Sequence, residues 1–176
     1  EVLSVDPKAT GTLLVVDNLL VGGVDRLPFA MAAVLVSLVF ILWLDLGRGR
    51  AVLVALVPLL VGSSVAIGVV IAAGMPISIL MLSAFPLIFG IGIDDGVHIL
   101  HRWNESEDGD VARAVGATGK AILFTSVTTA LGFGILFLLH HRGLAGMATL
   151  VLLGVGTCFL TSVTLLPVLA RLVWKR

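Results

Sequence analysis

Five apolar runs, each long enough to cross a bilayer as a helix, dominate this sequence of 176 residues. A transmembrane helix needs about 20 consecutive and mainly apolar residues. The chain is 59% hydrophobic and 12% charged, and its mean hydropathy of +1.16 excludes an ordinary soluble domain. The sequence therefore predicts an all-α, polytopic membrane helix bundle, with transmembrane spans at about 27–46, 51–73, 77–101, 120–139 and 143–173.

The basic residues predict how this bundle is oriented, because cytoplasmic loops carry an excess of Lys and Arg. Of the 11 basic residues, three lie on one side of the predicted bundle: Lys8, Arg26 and Arg142. The other side, which we expect in the cytoplasm, holds Arg48, Arg50, Arg102, Arg113, Lys120, Arg171, Lys175 and Arg176. The N-terminus is then outside the cell and the C-terminus is cytoplasmic. The cytoplasmic ends of the spans also carry the amphipathic rings of Trp43, Trp103 and Trp174, as expected at a membrane interface.

The first part of the chain, residues 1–26, is interpreted as the end of an extracytoplasmic domain and an entry helix. Residues 27–176 form the predicted transmembrane domain. Gly22 and Gly23 predict a flexible joint before the first span, and Pro28 is typical of a helix start. Because the chain does not begin with methionine, we expect it to be a fragment or a processed piece of a longer protein.

The longest predicted connection joins the third and fourth spans, at residues 102–119. Its first part is acidic and contains glycine. Its second part, 111–118, mixes small apolar residues with one arginine. We expect this second part to form a short helix that lies at the membrane interface.

Two adjacent aspartates, Asp94 and Asp95, lie inside the third predicted span, after a stretch (77–93) without any charge. An ionisable side chain at that depth costs roughly 2.5 to 3.5 kcal/mol on insertion scales. Neighbouring carboxylates also repel each other, which disfavours the state in which both are ionised. Such residues face the interior of a bundle and serve ion or proton pathways. The pair is therefore predicted to be a proton or cation relay.

Two histidines follow the aspartates at helical spacing, so that Asp94, His98 and His101 share a face. His98 is predicted to pass protons between Asp94 and the cytoplasm, because histidine readily gains and loses a proton near neutral pH. The alternative is that both histidines are merely interfacial. The same spacing suits a metal site, but no fourth ligand is found, and we expect neither a metal nor another cofactor. Cys158 is interpreted as a small packing residue.

Small and hydroxyl-bearing residues accompany the relay. Gly92 and Gly96 are four residues apart and, with Gly90, predict close packing against another helix. The fourth span carries a cluster of hydroxyls between residues 125 and 129. Thr128 and Thr129 are predicted to respond when an aspartate changes its protonation. The alternative is that these hydroxyls bond only to their own helix, four residues back.

Four motifs follow one another along the chain: GIGIDDGVH at 90–98, ARAV at 112–115, TTALGF at 128–133 and LLP at 165–167. In this order they resemble the resistance-nodulation-division (RND) superfamily, and most closely its lipid-exporting branch of hopanoid exporters and MMPL-type proteins. The resemblance covers nearly the whole chain, and the five-helix layout is also similar to the Patched, Dispatched and sterol-sensing proteins.

The resemblance implies a role for particular residues. It implies that this chain is the last five helices of one transporter half, the C-terminal half, and that Asp94 and Asp95 carry protons. It also implies that Thr128 and Thr129 form the threonine motif of the next helix. Many lipid-exporting relatives have Asp-Tyr where this chain has Asp94 and Asp95. Which of the two is essential is therefore left open.

The function expected from the sequence is that of the membrane module of an RND-type exporter, driven by the proton-motive force, for lipids or other hydrophobic molecules. The implied partners are the bilayer of the cell's inner membrane, the remaining half and extracytoplasmic domains of the same transporter, protons and a hydrophobic or lipid substrate. We also expect an oligomer. The net charge of zero gives no sign of a nucleic-acid partner.

Two other functions are known for membrane helix bundles with comparable features. A sterol-sensing regulatory domain has the same fold and stays open. An intramembrane aspartyl protease is disfavoured, because its Gly-x-Gly-Asp motif is one residue shorter than Gly90-x-Gly92-x-Asp94 and the chain has no tyrosine. The adjacent Asp94 and Asp95 also point about 100° apart on a helix, which is poor geometry for a shared proton. We therefore do not expect an enzyme.

Overall fold

The computed structural model describes the backbone of residues 12–47, 49–105, 111–139 and 141–173, and within these ranges the side chains from Arg26 onward except those of 111 and 112. The described residues are helical apart from short connections, and none of them lies in a strand. The helices are α1 (Thr12–Leu46), α2 (Gly49–Ala72), α3 (Ile79–Leu82), α4 (Ala84–Asn104), α5 (Val111–Gly134) and α6 (Arg142–Val173), with a 3₁₀ turn (Ile135–Leu138) that prolongs α5.

The prediction of an all-α membrane bundle is confirmed, because five segments in the described residues are long and apolar enough to span a bilayer. They are Arg26–Leu46, Gly49–Ala72, Ile79–Asn104, Arg113–Leu138 and Arg142–Val173. The chain is therefore a multi-pass membrane protein. The division at residue 27 into an extracytoplasmic end and a membrane domain stays a prediction.

Helix α1 is longer than the first predicted span. It runs without a break over 35 residues, through Gly22, Gly23 and Pro28. At 1.5 Å per residue it is about 52 Å long, well beyond the ~30 Å of a hydrocarbon core. The prediction that a helix starts at Pro28 is wrong, because the helix already begins at Thr12 and tolerates the proline in its interior.

Helix α5 also begins earlier than expected. The predicted interfacial helix at 111–118 is not a separate element, since α5 runs continuously from Val111 to Gly134. The two glycines in this stretch, Gly116 and Gly119, do not interrupt the helix. Buried Ala114 and Ile122 hold both parts of α5 against the bundle.

The third span is divided into two helices. The side chain of Ser78 caps α3 by accepting a hydrogen bond from the amide of Met81, at 3.2 Å. Pro86 lies in the first turn of α4, where its missing N–H group leaves no helical hydrogen bond unmade. Proline therefore marks the start of the helix that carries the aspartates.

The core of the molecule is built by alternate spans. Of the most apolar residues of each span, 44% are buried in α2, 44% in α3 with α4 and 39% in α6, compared with 11% in α1 and 6% in the span that contains α5. The side chains of Phe124 and Leu131 on α5, and of Leu138 in the 3₁₀ turn, are more than 70% exposed. Helices α2, α4 and α6 thus form a central unit, and α1 and α5 lie against it.

Candidate functional site

The centre of the bundle is a close crossing of α2, α4 and α6 around Cys158. A Cβ atom on Gly62 would lie 2.7 Å from Cα of Cys158, and a Cβ atom on Gly92 would lie 2.9 Å from its Sγ atom. These distances are shorter than van der Waals contact, so only glycine allows this approach. Cys158 itself is buried and unpaired, as expected for a packing residue.

The predicted packing glycines of α4 are placed differently from one another. Gly92 faces Cys158, and a Cβ atom on Gly96 would meet the carbonyl oxygen of Ala55 at 3.4 Å. Gly90 is exposed, and a Cβ atom on it would meet nothing within 4 Å. The structure therefore brings Gly92 and Gly96 into the helix crossing and leaves Gly90 outside it.

The two aspartates occupy different environments, because adjacent residues of a helix point about 100° apart. Asp95 is only 4% exposed and lies in the central crossing, where its Oδ2 atom has no hydrogen-bond partner among the described residues. Asp94 is exposed and faces α1. One carboxyl group is thus enclosed by the bundle core while its neighbour is open on another face of the same helix.

Asp94 lines a cavity of about 520 Å³ between α1 and α4. The walls are mainly apolar, and the polar side chains among them are Ser37, Asp45 and Asp94. The remaining lining residues are Ala33, Val34, Leu38, Ile41, Leu42, Gly90, Ile93 and Val97. The volume is within the range of small-molecule sites, and a mainly apolar wall with few polar groups is typical of them.

The two histidines of α4 have different surroundings. His98 is exposed one turn beyond Asp94, close enough for the two side chains to interact electrostatically. The ring of His101 contacts α1, with its Nε2 atom 2.7 Å from Oδ2 of Asp45. This contact joins α1 to α4 beside the cavity that Asp45 and Asp94 both line. Among the described residues no group of three His, Cys, Asp or Glu side chains converges as a metal site would require.

The predicted threonine pair does not bond to the aspartates. The hydroxyl of Thr128 donates to the carbonyl oxygens of Phe124 and Thr125, at 3.0 and 2.9 Å, and its side chain is exposed. Thr129 is half-buried. The alternative of bonding within the same helix therefore describes Thr128 in this structure. A role of Thr128 and Thr129 in responding to protonation stays a prediction.

Hydroxyls of α6, which the sequence reasoning did not single out, link the core helices. Thr157 donates to the carbonyl oxygen of Gly62 at 2.7 Å, and Thr161 donates to that of Pro58 at 2.8 Å. Ser162 is fully buried, and its Oγ atom has no partner. The sequence around a hydroxyl in an apolar run does not indicate its hydrogen-bond partner. The bonds of Thr157 and Thr161 to α2 are therefore revealed only by the arrangement of the helices.

Comparison with known families decides the identity of this bundle. The family model described as Patched SSD matches residues 27–171, which include all five spans. The chain belongs to the Patched family.

Relatives of this Patched-family chain include two bacterial hopanoid transporters named HpnN. It is 33% identical over 135 residues to that of Burkholderia multivorans, covering 77% of the chain and 15% of the relative. It is 32% identical over 158 residues to that of Rhodopseudomonas palustris, covering 89% and 18%. The resemblance to the RND superfamily and its hopanoid-exporting branch is thus confirmed. The chain spans less than a fifth of the length of either transporter.

A third relative is the membrane protein MJ1562 of the archaeon Methanocaldococcus jannaschii. It is 29% identical to this chain over 147 residues, which cover 80% of the chain and 38% of the relative. No solved structure is a significant match for the Patched-family chain. The family is therefore recognised from the sequence, through a match that covers residues 27–171.

Proposed function

We propose that this chain is the proton-coupling membrane module of an exporter of lipids or other hydrophobic molecules, with Asp94 and Asp95 as its proton carriers. The observation that carries the proposal is the placement of the pair. Asp95 is enclosed by the core helices without a hydrogen-bond partner for its Oδ2 atom in the described part of the chain, and Asp94 opens to a cavity on another face of the same helix. Intramembrane carboxyl groups of this kind typically belong to ion or proton pathways.

The geometry suits a switch driven by protonation. An ionised Asp95 is a charge enclosed by apolar helices, and protonation removes that charge, so the preferred packing of α2, α4 and α6 differs between the two states. One proton that crosses 100 mV releases about 2.3 kcal/mol. Since about 1.4 kcal/mol changes an equilibrium tenfold, that energy suffices to shift the bundle between two arrangements.

The proposed substrate is a hopanoid-like or other apolar lipid, since two relatives are named hopanoid transporters. The proposal includes the remaining transporter half, the extracytoplasmic domains and an oligomeric assembly as partners, because the chain spans only a small part of those relatives. It also includes the inner membrane as location, with the C-terminus in the cytoplasm. Two relatives are named as transporters, and these names support a function in transport over one in catalysis.

A second candidate function is regulatory sterol sensing. The matching family model is itself described as Patched SSD, and the cavity between α1 and α4 has the volume and apolar walls of a lipid site. A sensor would bind its lipid in this cavity without any need for proton exchange at Asp95. Loss of the Asp95 carboxyl group, which lies outside the cavity lining, would then leave lipid binding unchanged.

The test is an infrared titration of the purified chain in lipid nanodiscs, beside Asp94→Asn and Asp95→Asn. We expect a carboxyl band that changes with pH in the wild type and is absent from one variant, which then names the carrier. Asp45→Asn is the matched control, because Asp45 lines the same cavity but pairs with His101. If no pH-dependent band depends on Asp94 or Asp95, the proton-coupling proposal is wrong.

A further inference from the structure

The bundle core contains two buried polar atoms that lack a partner among the described residues: Oδ2 of Asp95 and Oγ of Ser162. Asp95 is 4% exposed and Ser162 is 0% exposed. Buried polar groups in native proteins nearly always form hydrogen bonds, and lipid surroundings offer no water as a substitute. Among the described residues, each of these two atoms therefore still has its capacity for a hydrogen bond unused.

The register of α4 and α6 places these two residues at the same level. Along α4, Ile88 meets Gly154, Gly92 meets Cys158, and Gly96 meets Leu166. The contacts advance together along both helices, so α4 and α6 run parallel. Ser162 lies midway between Cys158 and Leu166 on α6, and Asp95 lies between Gly92 and Gly96 on α4, within about one residue of the matching midpoint.

Neighbouring polar groups have other partners. The buried hydroxyl of Ser63 donates to the carbonyl oxygen of Leu59 in its own helix, at 2.7 Å. Thr157 and Thr161 donate to carbonyl oxygens of α2. Of the two buried serines in the described part of the chain, Ser162 is thus the one whose hydroxyl is still available.

Within the described part of the chain, the titratable groups found to interact with Asp95 are Asp94 on its own helix and Cys158 on α6. The Sγ atom of Cys158 points to the carbonyl oxygen of Leu59 at 3.8 Å. On α2 the described titratable side chain is Arg50, in the first turn of the helix. Ser162 is therefore the polar side chain of another core helix that is best placed to follow the protonation of Asp95.

We propose that Ser162 is the positioning residue of Asp95. A hydroxyl both donates and accepts hydrogen bonds, so Ser162 donates to Oδ2 when Asp95 is ionised and accepts a hydrogen bond from the carboxyl O–H group when Asp95 is neutral. A rotation about the Cα–Cβ bond of Ser162, or one bridging water, makes this bond. The exchange reverses the direction of one hydrogen bond between α4 and α6, and α6 thereby responds to each proton.

This inference deepens the proposed function and gives the two aspartates different tasks. Asp94, open to the α1 cavity, exchanges protons with the surroundings. Asp95, against Ser162, transmits the protonation state to α6. The inference rests on proton coupling, but the hydrogen bond itself can be measured without any transport.

The experiment is infrared difference spectroscopy of the chain in nanodiscs, with Asp95→Asn used to assign the Asp95 bands. In Ser162→Ala, we expect the Asp95 acid C=O band to shift to higher wavenumber, because the hydrogen bond is lost. If Asp95 is ionised, its carboxylate band shifts instead. Ser162→Thr keeps a hydroxyl and should largely restore the wild-type position. Exchange into water labelled with ¹⁸O separates a bridging water from a direct bond.

The matched control is Ser63→Ala, which removes a serine that is buried on α2 but bonded within its own helix. It should leave the Asp95 bands in place. Identical Asp95 bands in Ser162→Ala and Ser63→Ala would overturn the inference. If Ser162→Ala fails to fold, Ser162→Cys is measured in its place. An Asp95 band that shifts in Ser162→Ala but never changes with pH would support the hydrogen bond between Ser162 and Asp95 and would contradict proton coupling.

Discussion

Adjacent residues on a helix need not share a role, and the aspartate pair illustrates this. Asp94 and Asp95 are indistinguishable by residue type, yet one is exposed beside a cavity and the other is buried in the core. The difference arises from the 100° rotation between consecutive helical residues. Substitution of the two residues should therefore have different consequences for stability.

At alkaline pH, where carboxyl groups are ionised, Asp95→Asn should raise the free energy of unfolding by about 1 to 3 kcal/mol, because it removes a charge that is enclosed by apolar helices. Asp94→Asn should change it by less than about 0.5 kcal/mol, since Asp94 is exposed. Denaturation of the chain in detergent micelles measures both. A loss of stability in Asp95→Asn would show that the core holds the ionised carboxylate favourably.

Glycine is required at position 62 because the backbone of Cys158 lies against it. In Gly62→Ala the new Cβ atom would lie 2.7 Å from the backbone of Cys158, so α2 and α6 must separate. Overpacking of this kind costs about 1 to 3 kcal/mol. The control Gly68→Ala lies on the same helix with nothing within 4 Å, and it should be neutral or stabilising. Equal thermal stability of the two variants would contradict the close crossing.

At the scale of elements, the central unit is held by hydroxyl-to-carbonyl bonds between α6 and α2. Thr157 and Thr161 are one turn apart and donate to Gly62 and Pro58, which are also one turn apart. The helices thus lie side by side, with the glycine contact at Cys158 between the two bonds. Contacts in lipid depend on such packing and hydrogen bonding, because lipid chains are as apolar as the side chains.

Thr161→Val should lower the free energy of unfolding by about 0.6 to 1.7 kcal/mol, the range of hydrogen bonds between membrane helices. Thr164→Val is the matched control, because the exposed Thr164 hydroxyl donates only to Leu160 of its own helix. The two variants differ by one bond between helices. If both lose the same stability, the bond from Thr161 to Pro58 contributes nothing.

At the scale of the whole molecule, the proposed orientation can be tested with single cysteines. The native Cys158 is buried and should not react with a membrane-impermeant maleimide. Ala73→Cys, in the exposed connection after α2, should be labelled in intact cells. Glu105→Cys, at the end of α4, should be labelled only after the membrane is permeabilised. The reverse labelling pattern would show that the membrane orientation is opposite to the proposed one.

The sequence predicted the fold well, because each span is a long apolar run and the lipid solvent demands helices. The aspartate pair was found because a charge inside such a run is costly. The start of α1 was missed, since Pro28 resembles a helix start but is tolerated inside this helix. The bond between Asp45 and His101 joins residues 56 positions apart. It depends on the adjacency of α1 and α4, which no local pattern encodes.

The packing of Cys158, Ser162 and Leu166 against α4 has a consequence for how this chain is made. These residues belong to the fifth span in the described residues, while Asp95 belongs to the third. Until α6 has entered the bilayer, the face of α4 that carries Asp95 has no cover from α6. A chain truncated before α6 would therefore leave a carboxyl group facing lipid on that side.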